Sequence, residues 1–164
     1  MSANALRVED HPEWPLALNV GNRFSLNAVE QVRLLRPQVS SPSTTAEVSW
    51  IGPTFARLQE VALLEDDWDQ RGSAAVRGDA LSFAWFFLRQ VMPPTALSPG
   101  IVPLGHGGVQ LLWHNQRCDL EVEVIGPNNM IAYYFDKLTG HEDEFAVTNE
   151  FSRITDILWS HFKS

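Results

Sequence analysis

The sequence predicts an α+β fold in two layers, with an antiparallel sheet of about four strands packed on two or three helices. Apolar and polar residues alternate with a period of two in the segment from Pro99 to Phe145, which indicates strands with one buried and one solvated face. The segments before and after this region carry apolar residues at helical spacing. We therefore expect the helices to cover one face of the sheet.

Two helices are predicted before the strands. The first begins near Pro53, which fits the first turn of a helix, and continues with Phe55, Leu58 and Val61 on one face. The second extends over Arg77–Val91 and is apolar on nearly all sides, so we expect it to lie at the centre of the core.

The four predicted strands are joined by short turns. One strand alternates strictly and has its apolar residues on one face and its acidic residues on the other: Leu120, Val122 and Val124 against Asp119, Glu121 and Glu123. The other three strands are predicted at Val109–His114, Ile131–Phe135 and Glu144–Val147. Turns are predicted at residues 115–116, at residues 127–129 and around Gly140.

A last helix is predicted after Thr148 or Asn149, since either residue is a favourable N-cap. Its apolar stripe would contain Phe151, Ile154, Ile157, Leu158 and Phe162. Residues 46–164 are thus predicted to form a single α+β domain. Residues 1–45 are rich in Pro and Ser/Thr and are predicted to be a partly ordered N-terminal arm, with a short helix at Leu26–Leu35.

The charge of the chain bears on its partners. Its 164 residues include 20 acidic and 12 basic ones, which gives a net charge of −8. Direct binding of nucleic acid is not expected, because such binding uses Lys and Arg to displace counterions from phosphates. The acidity favours either plain solubility or a protein partner with a basic surface.

The composition also indicates a compartment. The one cysteine, Cys118, has no partner for an internal disulfide, and no Cys/His set suggests a structural zinc. Residues 1–10 lack the pattern of a signal peptide, and no apolar run has the roughly 20 residues of a membrane span. We therefore expect a cytoplasmic protein without a membrane association and without a cofactor.

The first candidate site is an acidic turn between the first two helices. Asp67, Trp68 and Asp69 precede Gly72, and with Glu65 and Asp66 they offer a carboxylate cluster for binding a cation or a partner. The spacing differs from that of a calcium loop. The alternative is structural: Trp68 fills the core and Asp69 accepts hydrogen bonds from backbone amides.

The second candidate site is the acidic face of the sheet. Asp119, Glu121 and Glu123 lie on one strand face, and a regular hairpin places Gln110 and His114 beside them. Paired carboxylates of this kind bind a metal ion or act as acid and base. The alternative is a solvated face without chemistry, and we assign no catalytic or metal-binding residue.

Two sequence motifs carry a resemblance. The first motif lies in the run from Leu64 to Ala74. It consists of an Asp or Asn, here Asp67, then Trp-Asp, two variable residues and a Gly, here Gly72. The second motif is the run Gly107–His114, followed by Asp119–Val124. Together they resemble a widespread set of small uncharacterised bacterial proteins, in which position 67 is often Asn and position 70 often Gly. The resemblance covers roughly residues 58–144 and implies a shared fold, without an activity to transfer.

Three functions are compatible with the sequence. The first is a protein-binding module, such as an inhibitor, antitoxin-like or immunity-like protein in bacterial or phage conflict, which docks through the acidic sheet with Trp113 or Tyr133 beside it. The second is a DNA-mimicking inhibitor of a nucleic-acid enzyme. The third is a metal-dependent hydrolase that uses Asp119, Glu121 and Glu123. We favour the first, because no catalytic set of residues is recognisable.

Overall fold

The computed structural model describes residues 50–163. These residues form an antiparallel sheet of five strands with helices on one face. The helices are α1 (Ile51–Ala62), α2 (Gly78–Val91) and α3 (Ser152–His161). The strands are β1 (Gly100–Pro103), β2 (Val109–His114), β3 (Cys118–Gly126), β4 (Asn129–Asp136) and β5 (Glu142–Val147).

The sheet is a simple meander, since the strand order β1-β2-β3-β4-β5 follows the sequence. Each strand pairs with the next in antiparallel register. In β3, buried and partly exposed residues alternate along all nine positions. One face of the sheet is therefore buried and the other is turned to solvent.

The core lies between the buried face of the sheet and helix α2. Leu81, Phe87 and Leu88 on α2 have no exposed surface, and neither do Leu111, Leu120 and Val122 on β2 and β3. Phe87 also contacts Phe151, just before α3, with a ring-centroid separation of 5.2 Å. Helix α2 thus joins the sheet to the C-terminal helix.

The prediction that α2 lies at the centre of the core is only partly right. Phe86 on the far side of the helix is 50% exposed and contacts Phe83 and Phe151 in a surface cluster of aromatic rings. The helix rests on the sheet with one face only, so part of its largely apolar surface lies in solvent.

The predicted α+β class with two layers is confirmed, with three helices and five strands among residues 50–163. The additional strand is β1, which pairs with β2 from Gly100↔Leu112 to Pro103↔Val109. The last helix begins at Ser152, later than predicted. Glu150, not Thr148 or Asn149, accepts a hydrogen bond from the backbone N–H of Ser152.

Several sequence expectations concern residues that are not described. The predicted arm at residues 1–45, its helix at Leu26–Leu35 and the domain boundary at residue 46 lie outside residues 50–163. Within the described residues, no helix is long and apolar enough to cross a membrane.

The packing of α2 yields a test by urea denaturation of the full chain. Phe87→Ala is expected to lower the free energy of unfolding by about 3–5 kcal/mol, because it leaves a cavity in the core. Phe86→Ala, at the preceding position of the same helix, is the control and is expected to lower the free energy of unfolding by no more than about 1 kcal/mol. Equal losses for the two variants would contradict the orientation of α2.

Candidate functional site

The candidate site is the outer face of the sheet, which is the face that the helices leave uncovered. Cross-strand pairing arranges its residues in three rows. The first row contains Val102, Gln110, Glu123, Ile131 and Ala146. The second contains Leu112, Glu121, Tyr133 and Glu144, and the third contains His114, Asp119, Phe135 and Glu142. The prediction that Gln110 and His114 lie beside the acidic residues of β3 is confirmed, because His114 lies opposite Asp119 and Gln110 opposite Glu123.

Asp119 is the most heavily bonded carboxylate of the outer face. Its Oδ1 atom lies 2.6 Å from Lys137 Nζ and 2.8 Å from His114 Nδ1. Desolvation raises the pKa of Asp119, but the hydrogen bonds and charges of Lys137 and His114 outweigh it, so this pKa lies below its ordinary value. Asp119 is therefore a charged structural partner of two basic groups.

The two glutamates of β3 also have side-chain partners. Gln110 donates a hydrogen bond of 2.8 Å from Nε2 to Oε2 of Glu121. His106, in the turn before β2, lies with Nε2 at 2.7 Å from Oε1 of Glu123. Each carboxylate on β3 is thus bonded to a different neighbour, and the three do not converge on a common point.

This arrangement bears on metal binding. No group of three or more His, Cys, Asp or Glu side chains within residues 50–163 is placed to hold a metal ion.

On β4 and β5 the outer face adds an aromatic and acidic pair. The hydroxyl of Tyr133 donates a hydrogen bond of 3.3 Å to Oε2 of Glu142. Desolvation and the negative charge of Glu142 raise the pKa of Tyr133. Tyr133 therefore stays a neutral hydrogen-bonding group. Trp113, expected beside this face, instead points to the core and is 4% exposed.

The acidic turn between α1 and α2 forms a separate unit, the motif loop, which comprises residues 64–77. Its aspartates bind the backbone of the loop itself. Asp66 Oδ1 accepts a hydrogen bond from the N–H of Ala75 at 2.8 Å, and Asp67 Oδ1 accepts one from the N–H of Gly72 at 2.7 Å. Such side-chain acceptors replace the regular backbone partners that a loop lacks.

Asp69 accepts hydrogen bonds with both oxygens. Oδ1 receives the backbone N–H groups of Arg71 and Ser73, and Oδ2 receives the Ser73 hydroxyl at 2.7 Å. The hydroxyl of Ser73 is the main reason why the pKa of Asp69 is lowered. The structural alternative for Asp69 is therefore confirmed. For Trp68 it is wrong, because Trp68 is only half-buried, outside the core, and donates from Nε1 to the carbonyl of Ala74.

The motif loop packs on the Gly-rich turn that precedes β2, so the two sequence motifs form one contact. The N–H of Ala74 donates to the carbonyl of Gly105 at 2.8 Å, and that of Arg77 donates to the carbonyl of Gly107 at 2.9 Å. Gly108 tolerates no side chain, because a Cβ atom would lie 2.8 Å from the carbonyl oxygen of Val124. The binding role predicted for Asp67, Trp68 and Asp69 stays a prediction.

Two non-glycine positions of the motif loop have a left-handed backbone. Asp67 has a φ angle of 64° and Gln70 one of 58°. Asn and Gly adopt this conformation more readily than other residues. Asn at position 67 and Gly at position 70 would therefore adopt this backbone with less strain than Asp and Gln do.

The chain matches no protein-family model, and it has no significant similarity to a curated protein or to a solved structure. Sequence reasoning did not assign His106, Lys137, Glu142 or Glu144 to the candidate site. The alternation of Glu142 and Glu144 in β5 was a usable signal, whereas His106 and Lys137 reach the face from turns that have no periodicity.

The strained backbone at Gln70 yields the first test of the motif loop. Gln70→Gly is expected to raise the free energy of unfolding by up to about 1 kcal/mol, because glycine removes the left-handed strain. Arg71→Gly is the matched control, since Arg71 is not among the positive-φ residues of the loop and glycine there only adds unfolded-state entropy. Stabilisation by both variants, or by neither, in thermal denaturation would contradict the loop conformation.

The bond between Ser73 and Asp69 yields a pH-dependent test. A carboxylate whose pKa is lowered by folding contributes stability above its unfolded pKa, and this contribution is lost as the pH falls through the folded pKa. Ser73→Ala is therefore expected to destabilise the protein at pH 7 and to have progressively less effect below about pH 4. Urea denaturation of both proteins across this range measures the difference. A constant difference at all pH values would show that Asp69 is not the partner that matters.

Proposed function

We propose that this chain is a protein-binding module that docks through the outer face of its sheet onto a partner with a basic surface. The observation that carries this proposal is the charge of the face. It displays five carboxylates, which are Asp119, Glu121, Glu123, Glu142 and Glu144. Lys137 is the one lysine or arginine side chain paired with any of them in residues 50–163, so the face keeps a negative potential.

Apolar side chains between the acids support a protein partner. Val102 is 41% exposed and Ile131 is 38% exposed, and the partly exposed rings of Tyr133 and Phe135 lie beside them. Protein interfaces combine aromatic and aliphatic anchors with a polar rim. The acidic groups would steer a basic partner, and the apolar groups would contribute affinity once they are covered.

The other two functions have less support. A DNA mimic needs negative charges in an uninterrupted array, whereas this face carries Leu112, Ile131, Tyr133 and Phe135 between its carboxylates. A metal-dependent hydrolase needs converging ligands, and each carboxylate of β3 is bonded to a different side chain. We infer that an inhibitor, antitoxin-like or immunity-like role suits the chain best, because such a protein acts by covering a partner's surface.

The proposal is tested with a partner captured on the tagged full chain at low salt and identified by mass spectrometry. Glu144→Lys places a positive charge on the outer face and is expected to weaken binding of that partner roughly tenfold, through like-charge repulsion. The loss should shrink at high salt, because exposed charges are screened. Both quantities are measured by titration calorimetry of the purified proteins.

Asp156→Lys is the control for this experiment. It makes the same change in net charge at an exposed position of α3, away from the outer face. Equal losses for Glu144→Lys and Asp156→Lys would mean that only the net charge of the chain matters. Unchanged affinity in both variants would exclude the outer face as the docking surface.

A further inference from the structure

The sheet has two edge strands, β1 and β5, because each of them has a partner strand on one side only within residues 50–163. In an antiparallel pair, residues bonded to the neighbouring strand alternate with residues whose backbone N–H and C=O groups point away from it. On an edge strand, these outward groups can pair with a strand of another chain. The two edges of this sheet differ in how accessible their outward groups are.

The edge of β1 is closed. The N–H of Leu104 bonds to the carbonyl of Gly108 in the hairpin after β1. By alternation, Ile101 and Pro103 point away from β2. Proline has no backbone N–H, and the carbonyl of Ile101 accepts a hydrogen bond of 3.1 Å from Nε of Arg57 on α1. Ile101 is also buried, so β1 offers no accessible row of outward groups.

The hairpin between β4 and β5 determines which residues of β5 point outward. The N–H of Asp136 bonds to the carbonyl of His141, which makes these two residues the first bonded pair. Bonded pairs recur at every second residue of the register, so the residues between them are directed away from β4. The outward residues of β5 are Glu142, Glu144 and Ala146. All three are exposed.

The outward backbone groups of β5 are largely unpaired. Among residues 50–163, no backbone partner bonds to the outward N–H or C=O groups of Glu142 and Ala146. The N–H of Glu144 donates to the carboxylate of the neighbouring Asp143, whereas its carbonyl has no backbone partner in the same part of the chain. The edge of β5 thus presents donors and acceptors in the positions that an added antiparallel strand requires.

The side chains of this edge carry unbalanced negative charge. On the inner face, Asp143 pairs with Arg153 at the start of α3, and the guanidinium of Arg153 lies 3.7 Å from the centre of the Phe145 ring. On the outer face, Glu142 and Glu144 form no ion pair with a described residue. An added strand therefore meets two unpaired carboxylates on one face and an aromatic ring on the other.

A second copy of this chain is a poor occupant of the edge. Three of the six residues of β5 are acidic and none is basic. Pairing of two β5 strands would place acidic side chains on adjacent strands, and like charges across a strand pair are destabilising. Lys or Arg opposite Glu142 and Glu144 makes the same interaction favourable. The charge of the edge therefore favours a basic segment of a different protein.

We propose that β5 binds an extended segment of a protein partner, which adds an antiparallel strand to the sheet. The backbone of the segment pairs with Glu142 and Ala146, and its Lys or Arg side chains at alternate positions face Glu142 and Glu144. The residues between them are apolar, because they lie on the inner face beside the ring of Phe145. This inference rests on the proposed function, since it specifies how a basic partner engages the acidic face.

The test is an NMR titration of the ¹⁵N-labelled full chain at low salt with a peptide of about eight residues in which Lys and Val alternate. The backbone amide resonances of Glu142 and Ala146 are expected to move downfield and to saturate, because their N–H groups gain acceptors. The amide of Ile101 on the closed edge is the internal control and should not move. An unmoved Ala146 resonance at millimolar peptide would overturn the proposal.

A second peptide separates strand pairing from charge attraction. It carries backbone N-methyl groups on its lysine residues, so it keeps every side chain and every charge but loses the N–H groups that face β5 in antiparallel pairing. Its affinity is expected to be about tenfold lower than that of the first peptide, the effect of losing one or more backbone hydrogen bonds. Equal affinities would show that charge alone attracts the peptide, and strand addition would be refuted.

Ala146→Pro makes the same test on the protein. Proline removes an outward N–H that β4 does not use, so β5 can still pair with β4. This variant is expected to bind the first peptide about tenfold more weakly. Ala146→Val keeps the N–H and is the matched control, so equal affinities of the two variants would contradict the proposal. The methylated peptide is compared on the unaltered chain and decides the question even if Ala146→Pro does not fold.

The partner captured on the tagged full chain distinguishes this inference from the proposed function. Weaker binding of that partner to both Glu144→Lys and Ala146→Pro supports the two together. Weaker binding to Glu144→Lys alone means that the partner docks on the outer face without adding a strand, so the proposed function stands and this inference fails. Unchanged affinity in both variants contradicts both.

Discussion

The packing of α2 against the centre of the sheet determines what the rest of this protein can do. Leu81, Phe87 and Leu88 are completely buried on the sheet, so the inner residues of β2 and β3 must be apolar. Because the helices supply only one layer, the opposite face has no cover among the described residues and can carry acids and rings. The alternation in β3 is the direct result of this one-sided burial.

The motif loop is anchored at its C-terminal end, just before α2 begins. Its aspartates fold the loop onto its own amides, and residues 74 and 77 bond to the Gly-rich turn before β2. Arg77 also donates from its guanidinium to the carbonyl of Ile125 and pairs with Asp79, at the start of α2. The two sequence motifs, about 30 residues apart in the chain, thus form one structural unit. A structural role in the fold is therefore sufficient to explain why the chain contains both motifs.

The strands and helices in which apolar residues recur at regular spacing were predictable from the sequence. The elements whose position depends on tertiary contacts were not. The alternation of β2 and β3 predicted that Gln110 and His114 lie beside the acidic residues of β3. Strand β1 has only four residues, of which one is Gly and one is Pro, so it shows no period and becomes a strand by pairing with β2. Thr148 and Asn149 have side chains suited to an N-cap, yet α3 begins at Ser152. The residue that precedes it, Phe151, packs against Phe87.

The side chains of the candidate site also divide into those placed by regular spacing and those placed by tertiary contacts. Period two placed Asp119, Glu121 and Glu123 on one face, but no pattern in the sequence indicated that His106 and Lys137 would reach them from turns. The unsatisfied N–H of Trp113 was equally invisible, since the sequence shows that a tryptophan is apolar and inward but not whether its nitrogen finds an acceptor.

A groove between the end of β2 and the residues that end α3 meets the outer face of the sheet. Leu112 and His114 belong to the outer rows and also line the groove, while Trp113 between them points inward. His114 is bonded to Asp119, which in turn is bonded to Lys137, so a change at the groove is one side chain away from the carboxylates of the face. Substitutions at Leu112 or His114 therefore alter both surfaces at once. Glu144 belongs to the outer face alone, whereas Lys163 lines the groove alone, so substitutions at these two positions change one surface at a time.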